Sequence, residues 1–233
     1  MKLITRFWVI MCLWVTSLSA AGLIDGPYPV YLVDNFDDGE LAVNPEWWQF
    51  GDLDVDILVN NPKELKGLSK RALRLTGRTS RWYLGGIGTY FPMDARKFTH
   101  LKLLIKGVDP ELGASMVIEL YDDDNGNFQI EPHPIDGSML KVDDRFVYNL
   151  KIDWLGWKVV IIPLEMFRDE NPHFGDDIWN PYQEGGSGGL LQMQLLLMGL
   201  KENARVDIWL DAVKFFKKRP EPVKKLVDDG DFF

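Results

Sequence analysis

SMVIELYDDDNGNFQIEP, Ser115 to Pro132, sets three aspartates, two asparagines and a glycine between two apolar runs. Acidic loops of this kind coordinate calcium, and they also close tight turns between strands. Placing Gly126 at the invariant glycine of an EF-hand loop puts Tyr121 at the first ligand position and Pro132 at the twelfth. A carboxylate is needed at the first and a bidentate glutamate at the twelfth, so that register fails twice. Asn125-Gly126 is instead a two-residue hairpin signal, predicting an antiparallel pair between SMVIELY and NFQIEP. The flanking aspartates then solvate the hairpin end and discourage edge pairing. On this reading any ion bound there is adventitious, and the stretch indicates a β-scaffold.

The same texture continues on both sides. Tyr31–Phe36, Val55–Val59 and Ala72–Thr76 are short apolar or alternating runs bounded by Gly, Pro, Asn and Asp. From Phe146 to Trp154, Phe146, Tyr148, Leu150, Ile152 and Trp154 share one face, and Val147, Asn149, Lys151 and Asp153 take the other. That period of two marks an antiparallel strand with one wet side. Val206, Ile208, Leu210 and Ala212 repeat it near the C-terminus. Helix is expected only as a turn or two at Leu164 to Phe167, after Pro163. About ten strands with turn signals between them predict an all-β, two-sheet antiparallel sandwich with little helix.

The chain has 233 residues, 46% of them hydrophobic and 26% charged, enough to bury one sizeable core. Lys2 and Arg6, the apolar run FWVIMCLWV and Ser19-Ala20-Ala21 read as a secretory signal peptide over residues 1–21. A sandwich domain over 22–216 and an extended tail over 217–233 are expected to follow, in an exported protein, periplasmic or secreted. The single cysteine, Cys12, lies in the leader, so the mature chain carries no disulfide. Losing Lys2 and Arg6 lowers the basic count from 26 to 24 against 35 acids, a net charge of −11. Such a balance disfavours nucleic acid and anionic membrane surfaces. LLQMQLLLMGL, the most apolar later run, is interrupted by Gln192 and Gln194 and is not a membrane span.

Catalytic constellations are missing from the pattern. The histidines His100, His133 and His173 are scattered without zinc spacing, and G-x-S-x-G does not occur. GGSGG, Gly185 to Gly189, has no following Lys-Ser or Lys-Thr pair and reads as a mobile loop. Asp176, Asp177 and Glu184 are candidates for a spatial acid pair only in the weak sense that any acids are. A non-enzyme is expected. The aromatic residues remain. Trp47 and Trp48 are adjacent, so on a strand one points inward and one outward. Trp154 and Trp209 fall in alternating strands and are expected in the core, whereas Trp48, Trp82, Tyr83, Trp179 and Tyr182 are candidates for binding a sugar or a protein. In the tail, Phe232 and Phe233 are either part of an extended surface segment or anchors of a docking arm.

LVDNFDDG, IELYDDDNGNFQ, GWKVVIIPLEMF and VDIWLDAVKFF together resemble the galactose-binding-like jelly-roll sandwiches, most generally family 11 carbohydrate-binding modules. That resemblance covers nearly the whole mature chain. It implies a jelly roll and a structural calcium at Asp34, Asp37 and Asp211, in the first and last strands. A narrower resemblance, carried by GWKVVIIPL and LLQMQLLLMGLKENARVDIWLDAVKFF, is to spirochaete flagellar filament outer-layer (sheath) proteins of the FlaA type. It implies a non-catalytic structural subunit whose partners are a filament core or other sheath subunits. The alternative is a free-standing carbohydrate-binding protein that uses an aromatic platform.

Overall fold

A computed structural model describes residues 22–24, 26–79, 81–109, 114–133, 142–185, 187–201 and 203–219. The expected signal peptide over 1–21, most of the tail, and with it Phe232 and Phe233, therefore lie outside the described residues, apart from Lys217 to Arg219.

Thirteen strands are described: β1 (Gly22–Ile24), β2 (Val30–Asp34), β3 (Trp47–Gly51), β4 (Asp54–Val59), β5 (Arg71–Arg78), β6 (Tyr83–Met93), β7 (His100–Gly107), β8 (Ala114–Asp123), β9 (Arg145–Ile152), β10 (Gly156–Pro163), β11 (Arg168–Asp169), β12 (Gly189–Gly199) and β13 (Arg205–Phe216). Among the described residues, helix is confined to two 3-10 turns, Ala95–Lys97 and Leu164–Met166, the second beginning after Pro163 as its sequence predicts. All pairings are antiparallel. One sheet runs β11-β9-β8-β12-β6-β3, and the other contains β1, β2, β13, β5 and β4 with β7 and β10 joined to it. The protein is a two-sheet antiparallel β-sandwich of jelly-roll type.

The two sheets face each other across one apolar layer. Leu73, Leu75, Leu103, Ile105, Ile208 and Leu210 meet Ile87, Met116, Ile118, Leu120, Met193 and Leu195, nearly all withdrawn from water. Burial of alternate residues on each strand supplies the main driving force for this architecture. Phe36, Phe91, Phe98 and Phe215 close one region of the layer, with Phe91 and Phe215 at a ring separation of 6.0 Å.

The expected hairpin at Asn125-Gly126 does not form. β8 ends at Asp123, and the chain runs through turns instead of returning as a strand. The reason is positional. β8 is a central strand whose edges are already paired with β9 and β12, so no edge is left for a partner after the turn. Asp123 also folds the following segment onto itself, its carboxylate accepting from the amides of Gly126 at 2.7 Å and Phe128 at 2.9 Å. GGSGG is likewise tethered: the Ser187 hydroxyl donates to the Asp123 carbonyl, and the Gly188 amide donates to its carboxylate at 3.1 Å.

In β13 a bulge between Asp211 and Lys214, with Ala212 at φ 50°, breaks the alternation. Val206, Ile208 and Leu210 stay inward, but the next core residues are Val213 and Phe215. Ala212 turns to pack with Leu68 and Leu104 in a smaller cluster. Trp209, expected inside, lies half-buried on the opposite face, with the Lys106 ammonium 5.3 Å from its ring centroid.

Candidate functional site

Strand register builds the outer face of the six-stranded sheet, because directly opposed residues of an antiparallel pair share a face. One row across the strands reads Trp48, Gly88, Gln194, Glu119 and Val147. Beside it runs Tyr90, Gln192, Tyr121 and Arg145. On the other side runs Phe50, Gly86, Leu196, Val117 and Asn149. The two glycines leave β6 bare where the edge strand β3 crosses it. A Cβ built on Gly88 would lie 2.4 Å from the Trp48 indole, and one on Gly86 would lie 2.6 Å from the Phe50 ring. Two aromatic rings therefore rest directly on the backbone of the sheet. Trp47, in between, points inward against Phe36 at a ring separation of 6.0 Å, as alternation requires.

Polar groups stand next to this platform. Gln192 and Gln194 are half-buried, and their side-chain amides have no hydrogen-bond partner among the described residues. Each thus offers a donor and an acceptor outward. Glu119 accepts a hydrogen bond from the Tyr121 hydroxyl, with the Arg145 guanidinium 3.8 Å from its other oxygen. Burial, then the hydrogen bond and charge of Glu119, keep the Tyr121 phenol protonated well above its ordinary range. At the end of the face the Tyr90 hydroxyl donates to the Phe128 carbonyl at 3.1 Å, and the Phe128 ring is 53% exposed.

The sequence-predicted residues fall in three places. Trp48 and Tyr83 belong to this face, Tyr83 opposite Met198 in the next row, and Trp82 stands exposed beside it. Tyr182 lies elsewhere, under the Arg96 guanidinium at 5.5 Å. Trp179 packs into the margin of the core, edge-on to Phe146 at 5.0 Å and stacked on Phe167 at 6.4 Å. Phe50, Tyr90, Gln192, Gln194, Glu119, Tyr121 and Arg145 were not legible as a site. The available signal was the glycine alternation Gly86-x-Gly88 and the glutamine alternation Gln192-x-Gln194, each placing like residues on one face of a strand.

The aspartates of the first and last strands each accept hydrogen bonds from the chain. Asp34 is buried and accepts from the Phe36 amide at 2.7 Å and the Trp47 indole at 2.8 Å. Asp37 accepts from the amides of Lys70 and Arg71, and Asp211 accepts from that of Ser69 at 2.7 Å through Oδ2, while its Oδ1 is buried without a hydrogen-bond partner. The three do not gather as ligands. Among the described residues, the carboxylates close enough to share an ion are Asp122, Asp124 and Asp144. Burial pushes Asp34 up to about 7 against the opposing hydrogen bonds from Phe36, Trp47 and Asn35. Its folded-state value exceeds its unfolded one, so the native state holds the extra proton and stability falls as pH rises from about 4 to about 7. Thermal melts in chelator should give a higher midpoint at pH 5 than at pH 7.5, with a shallower slope for Asp34→Asn. A midpoint that rises over that interval contradicts this.

No family model matches the chain, and no curated protein matches it. Among solved structures it is similar to the family 11 carbohydrate-binding module from Clostridium thermocellum in complex with a β-1,3-1,4-mixed-linked tetrasaccharide. That match has 16% identity over 82% of this chain and 98% of that one, with a TM-score of 0.49. The family 11 module of a cellulosomal cellulase of the same organism shares 16% identity over 87% and 99%, at 0.48. A xylan-binding domain from Paenibacillus barcinonensis shares 14% over 87% and 99%, at 0.44.

Proposed function

We propose that this chain is a non-catalytic, carbohydrate-binding-module-like protein that holds a neutral polysaccharide across the outer face of its six-stranded sheet. The observation that carries this reading is the Trp48 ring resting on Gly88 next to Gln194, with Phe50 placed the same way over Gly86. The face of a pyranose ring is flat and lined with polarised C–H bonds, which suit the negative face of an aromatic ring. Its equatorial hydroxyls suit side-chain amides and a carboxylate–guanidinium pair such as Glu119 and Arg145. An acidic protein with 35 Asp and Glu against 26 Lys and Arg repels uronate-rich chains, which favours an uncharged glycan. A sheath subunit docking through its tail would rely on Phe232 and Phe233, and no described residue favours that reading over the sheet face.

Native gels containing mixed-linkage β-glucan, xylan, galactan or polygalacturonate test the proposal. At least one neutral polysaccharide should retard the protein, polygalacturonate should not, and Trp48→Ala should migrate without retardation. Equal retardation of Trp48→Ala and the parent, or none by any neutral polysaccharide, would overturn it. Co-sedimentation with purified flagellar filaments, unaffected by Trp48→Ala, would favour the sheath.

A further inference from the structure

The segment that begins with Asp122 holds a second group of residues, separate from the sheet face. Asp122 ends the inward alternation of β8, Asp124 follows the strand, and Asp144 immediately precedes β9. One carboxylate oxygen from each lies within 4.8 Å of the others. Two oxygens bound at about 2.4 Å on opposite sides of one ion are separated by about 4.8 Å, so the spacing fits a shared cation.

Proximity of acids alone would mean little, but a further observation points to a ligand. Asp122 and Asp144 are fully buried, and both oxygens of Asp122 and Oδ1 of Asp144 have no hydrogen-bond partner. The Asn180 amide lies near enough to Asp122 to favour its charged form, without reaching hydrogen-bond geometry. Buried carboxylate oxygens are ordinarily satisfied, because an unpaired one costs several kcal/mol, roughly. The chain also closes tightly over the group. Gly175, at φ 71°, faces the group, and a Cβ there would lie 1.9 Å from Asp144 Oδ1 and 2.5 Å from Asp124 Oδ2. A side chain there would collide with these oxygens, so glycine lets the turn lie directly over them. Asp176 follows, and a cleft lined by Asp124, Asp176, Asn180 and Tyr182 opens to solvent.

We propose that Asp122, Asp124 and Asp144 bind one calcium ion, closed over by the Gly175–Asp176 turn. The donors are all carboxylate oxygens, with neither imidazole nor thiolate, which selects a hard cation. Three carboxylates from separate segments suit the larger, flexible shell of calcium, whereas magnesium keeps several waters and uses few carboxylates. The ion ties the end of β8 to the start of β9 and to the Gly175 turn. It uses none of the residues assigned to the polysaccharide.

The test uses the full chain, stripped with chelator and titrated with calcium or magnesium chloride at pH 7.5. Bound calcium is counted by equilibrium dialysis, and the thermal midpoint is followed in parallel. Calcium should raise the midpoint by several degrees, with magnesium much less effective. Asp122→Asn and Asp124→Asn should each bind one equivalent fewer than the parent while still being retarded by the polysaccharide. In chelator, Asp122→Asn should melt at or above the parent, because the amide replaces a buried carboxyl whose two oxygens have no hydrogen-bond partner. A merely structural Asp122 would lower the midpoint with and without calcium. Absence of calcium binding by the parent, undiminished binding by Asp122→Asn and Asp124→Asn, or a chelator midpoint of Asp122→Asn well below the parent would overturn the proposal. Asp124 is half-exposed, so its variant reports on the site even where Asp122→Asn does not fold.

Discussion

Gly88→Val is expected to abolish polysaccharide retention as fully as removal of the Trp48 ring, a loss of about 30-fold or more in affinity, or about 2 kcal/mol, while leaving the fold intact. The added Cβ would lie 2.4 Å from the indole, closer than any real contact, so the ring has to leave its bed on β6. Trp48 sits on the edge strand β3 and is only half-buried, which gives it somewhere to go. Valine itself suits an extended strand, so the backbone has little reason to object. Isothermal titration with the retarding polysaccharide, beside a thermal melt, reads both halves. Full affinity in a folded Gly88→Val protein would remove the aromatic platform from the binding model. A melt lowered by ten degrees or more would instead show that the glycine serves sheet packing.

Trp179→Ala should behave in the opposite way, lowering stability by about 3 kcal/mol and the midpoint by roughly 6–12 °C. The indole fills the margin of the core between Phe146 and Phe167, so its removal leaves a cavity that β9 and the segment at Phe167 cannot collapse to fill. The folded variant should still be retarded by polysaccharide, because Trp179 is absent from the sheet-face rows. Differential scanning calorimetry checks the first expectation. Selective loss of retention with an unchanged midpoint would restore Trp179 to a binding role.

The contrast between Trp48 and Trp179 shows where sequence reasoning reaches its limit. Both tryptophans stand beside polar residues, and local pattern made them equally good candidates. Alternation next to Trp47 correctly sends Trp48 outward, because side chains on a strand have a period of two. No such rule governs the irregular segment around Trp179, whose direction depends on Phe146 and Phe167, distant in sequence. Trp209 is a different case: alternation with its inward neighbours Ile208 and Leu210 already commits it to the other face, against the expectation of a core position.

Period-two burial, turn-forming residues and the scarcity of helix signals were enough to specify an all-β sandwich, since each is set by neighbours one or two residues away. The position of the helical turn after Pro163 and the opposed directions of Trp47 and Trp48 were equally local. Which strand is central was not. That depends on long-range pairing, and it decides whether Asp122-Asp123-Asp124 closes a hairpin or ends a strand whose edges are both taken. Asp144 and Gly175 come to that strand end only through the β8–β9 pairing and the folding of the segment before β12. Tertiary structure alone therefore turned an acidic turn signal into a buried group of carboxylates. It likewise brought Trp48, Gly88 and Gln194 into one row, because register between strands is a property of the sheet and is not written in any one of them.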